Sequence, residues 1–126
     1  MRAYTVATTA VTLGVDKKWV DNVLSHHPVN GILKKRQGIV RRVTPEGLLI
    51  LEIALKLGRT LGVPIRRALR ISSELVEQQG REVGLAQESE LHLRANIPAI
   101  SAALNSRLEH AIEITPVTQR GRPRYK

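Results

Sequence analysis

The amino-acid sequence predicts a mainly α-helical fold with small β elements, and three observations carry that prediction. Apolar residues recur at helical spacing through most of residues 5–79 and again after Pro98. Gly31 to Val43 reads differently, as two short β-prone runs around a basic turn. Near the C-terminus, Leu91-His92-Leu93 and Ile112-Glu113-Ile114 alternate as strands do.

Taken in order, Thr5 to Leu13 places Val6, Ala7, Ala10, Val11 and Leu13 on an apolar stripe, a first helix. Gly14 suits the left-handed position after that helix, and Asp16 suits the cap of the next. The second helix runs from Lys17 to about Ser25. Its apolar residues Trp19, Val20, Val23 and Leu24 share one face, which turns Lys17, Lys18, Asp21 and Asn22 outward. Trp19 therefore reads as a core anchor rather than a stacking platform. Helix, glycine turn and helix make a helix-turn-helix, whose second helix enters the major groove of DNA.

Pro28 and Asn30-Gly31 break the second helix. Ile32-Leu33 and Ile39-Val40 then flank a turn closed by Gly38 that carries Lys34, Lys35 and Arg36. With Arg41 and Arg42, this stretch holds five of the chain's twenty Lys and Arg residues. Such a tip serves no core; it fits a wing laid on a phosphate backbone, where each neutralised charge releases a counterion.

Thr44, Pro45 and Glu46 form a helix start: a cap, a proline at the first helical position, and an acid at the positive end of the dipole. From Leu48 to Leu61 this third helix is apolar around most of its circumference, with Glu52, Lys56 and Arg59 as a narrow polar edge. Gly62-Val63-Pro64 separates it from a fourth helix over about residues 65–79, where Ile65, Ala68, Leu69, Ser72, Leu75 and Val76 face inward. Arg66, Arg67 and Arg70 lie outward, either extending a basic surface or forming a solvated face with an Arg70–Glu74 pair. Residues 81–90 read as a polar connector. Between the two alternating stretches, Pro98 opens a helix with Ile100, Leu104 and Leu108 repeating every four residues. A strand-helix-strand unit this small leaves unpaired edges when alone, so it is expected to pair with the domain or, preferentially, with a second copy of the chain.

The organisation expected is thus a winged helix-turn-helix over residues 1–80, a strand-helix-strand dimerisation or partner unit over 81–116, and a flexible basic tail over 117–126. Composition agrees with one compact domain plus an appendage: 126 residues, 42% hydrophobic, no Cys and no Phe. The core must be aliphatic. Disulfides and thiolate metal sites are excluded, which is consistent with a reducing cytoplasm. The net charge of +9 is uneven. Residues 1–45 carry +6 and residues 115–126 carry +4, whereas residues 81–114 are net negative. A nucleic acid explains basic ends around a neutral middle better than a uniformly solvated surface does. The most apolar run, Leu48 to Leu57, includes Glu52 and Lys56 and falls far short of the ~20 residues of a membrane span, so no membrane partner is expected.

Along Tyr4-Thr5-Val6, Leu13-Gly14-Val15, Arg41-Arg42-Val43-Thr44-Pro45-Glu46-Gly47-Leu48 and Leu61-Gly62-Val63, the chain resembles the MerR-like winged helix-turn-helix family over roughly residues 4–76. The resemblance implies that Lys17 and Lys18 start the recognition helix, that Arg41 holds a wing position near DNA phosphates, and that Thr44 is the family's helix cap. The sequence departs at Asp21, where the family usually has a DNA-contacting Arg, and at Val40 and Val43, which replace wing tyrosines. In the tail, Arg120-Gly121-Arg122-Pro123 resembles an AT-hook core, in which glycine lets the backbone lie deep in a narrow minor groove and the two arginines reach along it. A solvated tail is the plain alternative.

The functional expectation is a cytoplasmic, nucleoid-associated, homodimeric transcription regulator that binds double-stranded DNA in a sequence-specific way. Its expected DNA-binding residues are Lys17, Lys18, Asn22, Lys34, Lys35, Arg36, Arg41, Arg42, Arg120 and Arg122. An antitoxin that binds its own operator, with residues 85–114 taking a protein partner, is the first alternative. An architectural or recombination accessory protein is the second. Ser25, Ser72 and Ser73 lack the context of a nucleophile and no phosphate loop is present, so no enzyme is expected. His26, His27, His92 and His110 lack a ligand set at helical spacing, so neither metal nor cofactor is expected.

Overall fold

The computed structural model describes residues 2–33, 41–85 and 89–114. It is mainly helical, with five helices and two small antiparallel sheets among these residues.

The first helix, α1 (Val6–Leu13), is opened by Thr5, whose Oγ1 accepts from the Thr8 N–H at 3.1 Å. Gly14, in the left-handed conformation, closes it by donating to the Ala10 carbonyl at 2.9 Å. Its buried face is less apolar than its sequence suggests: Thr8, Thr9 and Thr12 are buried, while Val11 is 43% exposed. Thr12 satisfies its hydroxyl by donating to the Thr8 carbonyl at 2.8 Å, which is how a small polar residue enters a helix-packing face. In α2 (Lys17–His26), Val20, Val23 and Leu24 are buried as the periodicity requires, and Trp19 packs half-buried against the core. Asp16 stands at the N-cap position, but its side chain makes no capping bond.

The strand pairing that follows differs from expectation. Strand β1 (Ile32–Leu33) pairs with β2 (Arg42–Val43), matching Ile32 to Val43 and Leu33 to Arg42. The sequence places the second strand at Ile39-Val40, which lies outside the described residues, as does Gly38. Val43 sets the register because it is held on both sides. Tyr4 exchanges two 2.8 Å backbone hydrogen bonds with it across from β1, and the Val43 side chain is fully buried.

Central to the domain is α3 (Pro45–Leu61), capped by Thr44 at one end and left-handed Gly62 at the other. Its residues Leu48, Ile50, Leu51, Ile53, Ala54, Leu55 and Leu57 are all buried, the signature of a helix packed on several sides. It packs most extensively on α4 (Ile65–Glu77), whose Ala68, Leu69, Ile71, Ser72 and Leu75 face inward. Ser72 follows the same device as Thr12, donating to Ala68 at 2.6 Å. The Arg70–Glu74 pair forms at 3.1 Å.

Beyond Gly80 the order of elements also differs. Val83–Gly84 is a strand, β3, rather than connector, and pairs with β4 (His92–Leu93). Val83 is buried and Leu85 packs half-buried against the core, so two apolar residues in a polar stretch seat the strand. The alternation at Ile112-Glu113-Ile114 is not a strand but the end of α5 (Ile97–Ile114). The repeat Ile100, Leu104, Leu108 continues to fully buried Ala111 with no turn residue in between, and three alternating residues cannot override a helix already packed. Asn96 opens α5, its Oδ1 accepting from the Ala99 N–H at 3.1 Å. The helix lies back on α1 and α3.

That docking includes a carboxylate. Glu52, expected on the polar edge of α3, is only 5% exposed. Its Oε2 takes the Arg107 guanidinium of α5 at 2.8 Å and the Lys56 ammonium at 3.5 Å. A buried carboxylate needs such partners, because stripping one of water costs several kcal/mol. Arg107→Ala should therefore lower stability by about 1–2 kcal/mol, a figure at the low end for charged hydrogen bonds because the Arg107 side chain is 45% exposed. Urea unfolding checks this as a lower midpoint with an unchanged slope.

Candidate nucleic-acid interface

The N-terminal part of α2 is where the expected DNA-binding side chains are best defined. Lys17, Lys18 and Asn22 are exposed, Asp21 is half-buried, and Ser25 and His26 continue the outward face. Packing of α2 on α1 through Val20, Val23 and Leu24 holds that face outward. His26 caps its own turn, its Nδ1 lying 2.8 Å from the Asn22 carbonyl as donor.

Asp16 at the N-cap position puts one carboxylate at the positive end of the α2 dipole, but the first turn beyond it runs against that dipole. α2 has no acidic residue in its first turn, and Lys17 and Lys18 occupy it instead. α4 repeats the arrangement, with Arg66 and Arg67 in a first turn that also lacks acids. Each cation at a helix N-terminus is unfavourable by about 0.3–1 kcal/mol, the mirror of the usual stabilisation by an acid there. α3 obeys the ordinary rule with Glu46. α4 thus concentrates positive potential from side chains and backbone together, and α2 does so less, its Asp16 carboxylate offsetting part of it.

Tertiary packing sets the opposite end of α2 beside α4. His26, His27 and Pro28 at the end of α2 face Arg66, Leu69, Arg70 and Ser73 of α4 across an open cleft of about 330 Å³. The sequence puts the histidines in a loop and the arginines on a helix face, but not beside each other. They are far apart in the chain, and no periodicity encodes such a pairing.

At the base of the β1–β2 pair, Arg41 is half-buried and Arg42 exposed, with Val43 turned fully inward. The expected wing-tip residues Lys34, Lys35 and Arg36 lie outside the described residues, as do Arg120 and Arg122 of the tail. What anchors the two strands is clear. The Gly31 carbonyl accepts from both the Thr44 N–H (2.9 Å) and the Thr44 hydroxyl (2.7 Å), and Thr44 Oγ1 in turn accepts from the Gly47 N–H at 3.3 Å. The start of β1 and the end of β2 are thereby tied to the start of α3. Gly31 has a positive φ of 86°, and a Cβ there would sit 2.5 Å from the Gly47 nitrogen and 2.6 Å from Thr44 Oγ1.

Among the described residues, no three His, Asp or Glu side chains come together as metal ligands, and no helix is long and apolar enough to cross a membrane.

Gly31 and Gly14 both hold left-handed backbone, but a Cβ at Gly14 would meet nothing within 4 Å. Gly14→Ala should cost only the conformational term of about 1–2 kcal/mol. Gly31→Ala should cost clearly more, since the cap must also open; equal destabilisation of the two variants in thermal unfolding would contradict the anchoring role of this junction.

In comparisons with known proteins, no family model, no curated protein and no solved structure matches this chain.

Proposed function

We propose that this chain binds double-stranded DNA as a sequence-specific transcription regulator, with α2 in the major groove and a wing between β1 and β2 on the adjacent backbone. The observation that carries the reading is the pair of cationic first turns, Lys17-Lys18 after the Asp16 cap of α2 and Arg66-Arg67 after Pro64 in α4, neither holding an acid. Local rules are broken in this way where function requires it, and the negative potential of a duplex, from its phosphates and from the acceptors on its base edges, suits both helix starts. The net charge of +9, the Arg42 side chain at the wing base, and the cleft joining His26 and His27 to Arg66 and Arg70 support the same partner. In this reading Arg66, Arg67, Arg42 and the wing cations hold phosphates, which sets affinity and position but carries no base information. The resemblance of residues 4–76 to MerR-like domains points the same way. A homodimer would read two half-sites about one helical turn apart, or a multiple of it.

The test is the salt dependence of duplex binding. Removing a cation that neutralises one phosphate should reduce the slope of log affinity against log salt by about 0.9. Lys34, Lys35 and Arg36 changed together to Ala should therefore lower the slope by roughly 2–3. Arg66→Ala with Arg67→Ala should lower it by up to about 2. An unchanged slope in the first variant removes the wing from the interface, and in the second removes α4. Deleting residues 120–126 should weaken binding to A·T-rich duplexes more than to G·C-rich ones; an equal effect on both reduces the tail to general electrostatics.

A further inference from the structure

Resting on the DNA-binding reading above, the outward face of α2 carries a narrower assignment. At 3.6 residues per turn, Lys18, Asp21, Asn22 and Ser25 fall on one contiguous stripe, opposite the buried Val20, Val23 and Leu24. Their spacing is i, i+3, i+4 and i+7, at which a helix laid in the major groove directs side chains to base edges. Lys18, Asn22 and Ser25 are exposed and Asp21 is half-buried. Among the described residues, none of the four is taken up in an ion pair. Among the described residues the exposed Asn22 amide makes no hydrogen bond, and only the Asn22 backbone carbonyl is taken, by His26.

The hydrogen-bonding capacities of these side chains differ in kind. Lys18 offers only donors, Asp21 only acceptors, and Asn22 one of each side by side. In the major groove, guanine presents two acceptors, cytosine an amino donor, and adenine an acceptor beside a donor. We infer that α2 reads base edges through this stripe: Lys18 takes guanine, Asn22 takes adenine in a bidentate pair, and Asp21 takes the cytosine amino group. Lys18 and Asn22 lie about 6 Å apart along the helix axis, between one and two base-pair rises of about 3.4 Å. They therefore address neighbouring or next-but-one base pairs. Asp21 sharpens the assignment. A carboxylate facing a phosphate row is repelled, so on this stripe it fits the groove floor and disfavours a docking in which α2 merely rests on the backbone. In this arrangement phosphate contacts come from α4 and the wing, and sequence information comes from three residues in little more than one turn of α2.

The experiment is selection from a randomised duplex library at fixed salt, using the full chain and its Asn22→Ala, Lys18→Ala and Asp21→Ala variants. Thermal unfolding of each variant establishes that it is folded, as expected for changes on an outward face. The wild-type chain should recover a motif containing adenine, guanine and cytosine within a few base pairs. Asn22→Ala should lose the adenine preference alone, a fall in discrimination of roughly 5- to 150-fold at that position. Lys18→Ala should relax only the guanine. Asp21→Ala should relax the cytosine and raise affinity for unrelated duplexes, because a negative charge leaves the groove. A wild-type motif that all three variants retain overturns the assignment. So does wild-type binding that is equally tight to every duplex, which would leave DNA binding standing as an architectural activity. Failure to bind any duplex would instead overturn the DNA-binding reading itself.

Discussion

The hydrogen-bonded junction of Gly31, Thr44 and Gly47 is the constraint on which the rest of this domain depends. One carbonyl, that of Gly31, takes two donors from Thr44, and the same Thr44 hydroxyl caps the first turn of α3. A buried polar cluster of this kind is stable only when every member is satisfied, so the three residues hold one geometry together. It ties three things at once: the entry to β1 at Ile32, the end of β2 at Val43, and the start of the helix that forms the core. Tyr4 reinforces it from the N-terminal side through its bridge to Val43. Since α1 begins two residues after Tyr4, the α1–α2 pair is registered to the β1–β2 sheet through the same strand.

A second tie fixes the C-terminal helix. α5 lies on α1 and α3 with Leu104, Leu108 and Ala111 buried, and Arg107 reaches the Glu52 carboxylate within that contact. Apolar burial supplies most of the attraction, since each fully buried Leu contributes on the order of 1.5–3 kcal/mol. The ion pair adds direction rather than bulk stability. A carboxylate that has lost its water accepts only arrangements that bring a cation to it, which restricts how α5 can sit. The buried face of α5 is thereby part of the same packed body as α1 and α3.

Against this satisfied interior, the surface is arranged at an energetic cost. Thr5, Thr44 and Asn96 cap their helices by the usual rules, yet α2 and α4 begin with paired cations and without side-chain caps. Under the proposed function, this contrast within one small domain separates what folding needs from what recognition needs. A helix stabilised mainly by its buried face tolerates a fraction of a kcal/mol of dipole repulsion. On the proposed reading, the cations at the start of α2 open an outward stripe, Lys18 to Ser25, that carries both hydrogen-bond donors and acceptors.

Sequence alone determined the features that depend on neighbours a few residues apart. The Thr44 cap, the left-handed Gly14, the break at Gly62, the buried face of α2 and the outward Lys17, Lys18 and Asn22 follow from local chemistry and helical period, and the structure has them there. Tertiary structure decided what depends on distant partners. Glu52 is buried because Arg107 arrives from another helix, although its own helix pattern places it on a polar edge. Val43 pairs with β1 because Tyr4 and Thr44 lock it in place. Val83 becomes a strand because His92–Leu93 meets it, and Ile112 to Ile114 stay helical because Ala111 is already packed. The cleft between His26 and Arg66 has no trace in the sequence. Short-range periodicity specifies which face of an element is apolar, but only the packing of one element on another specifies which polar groups end up side by side.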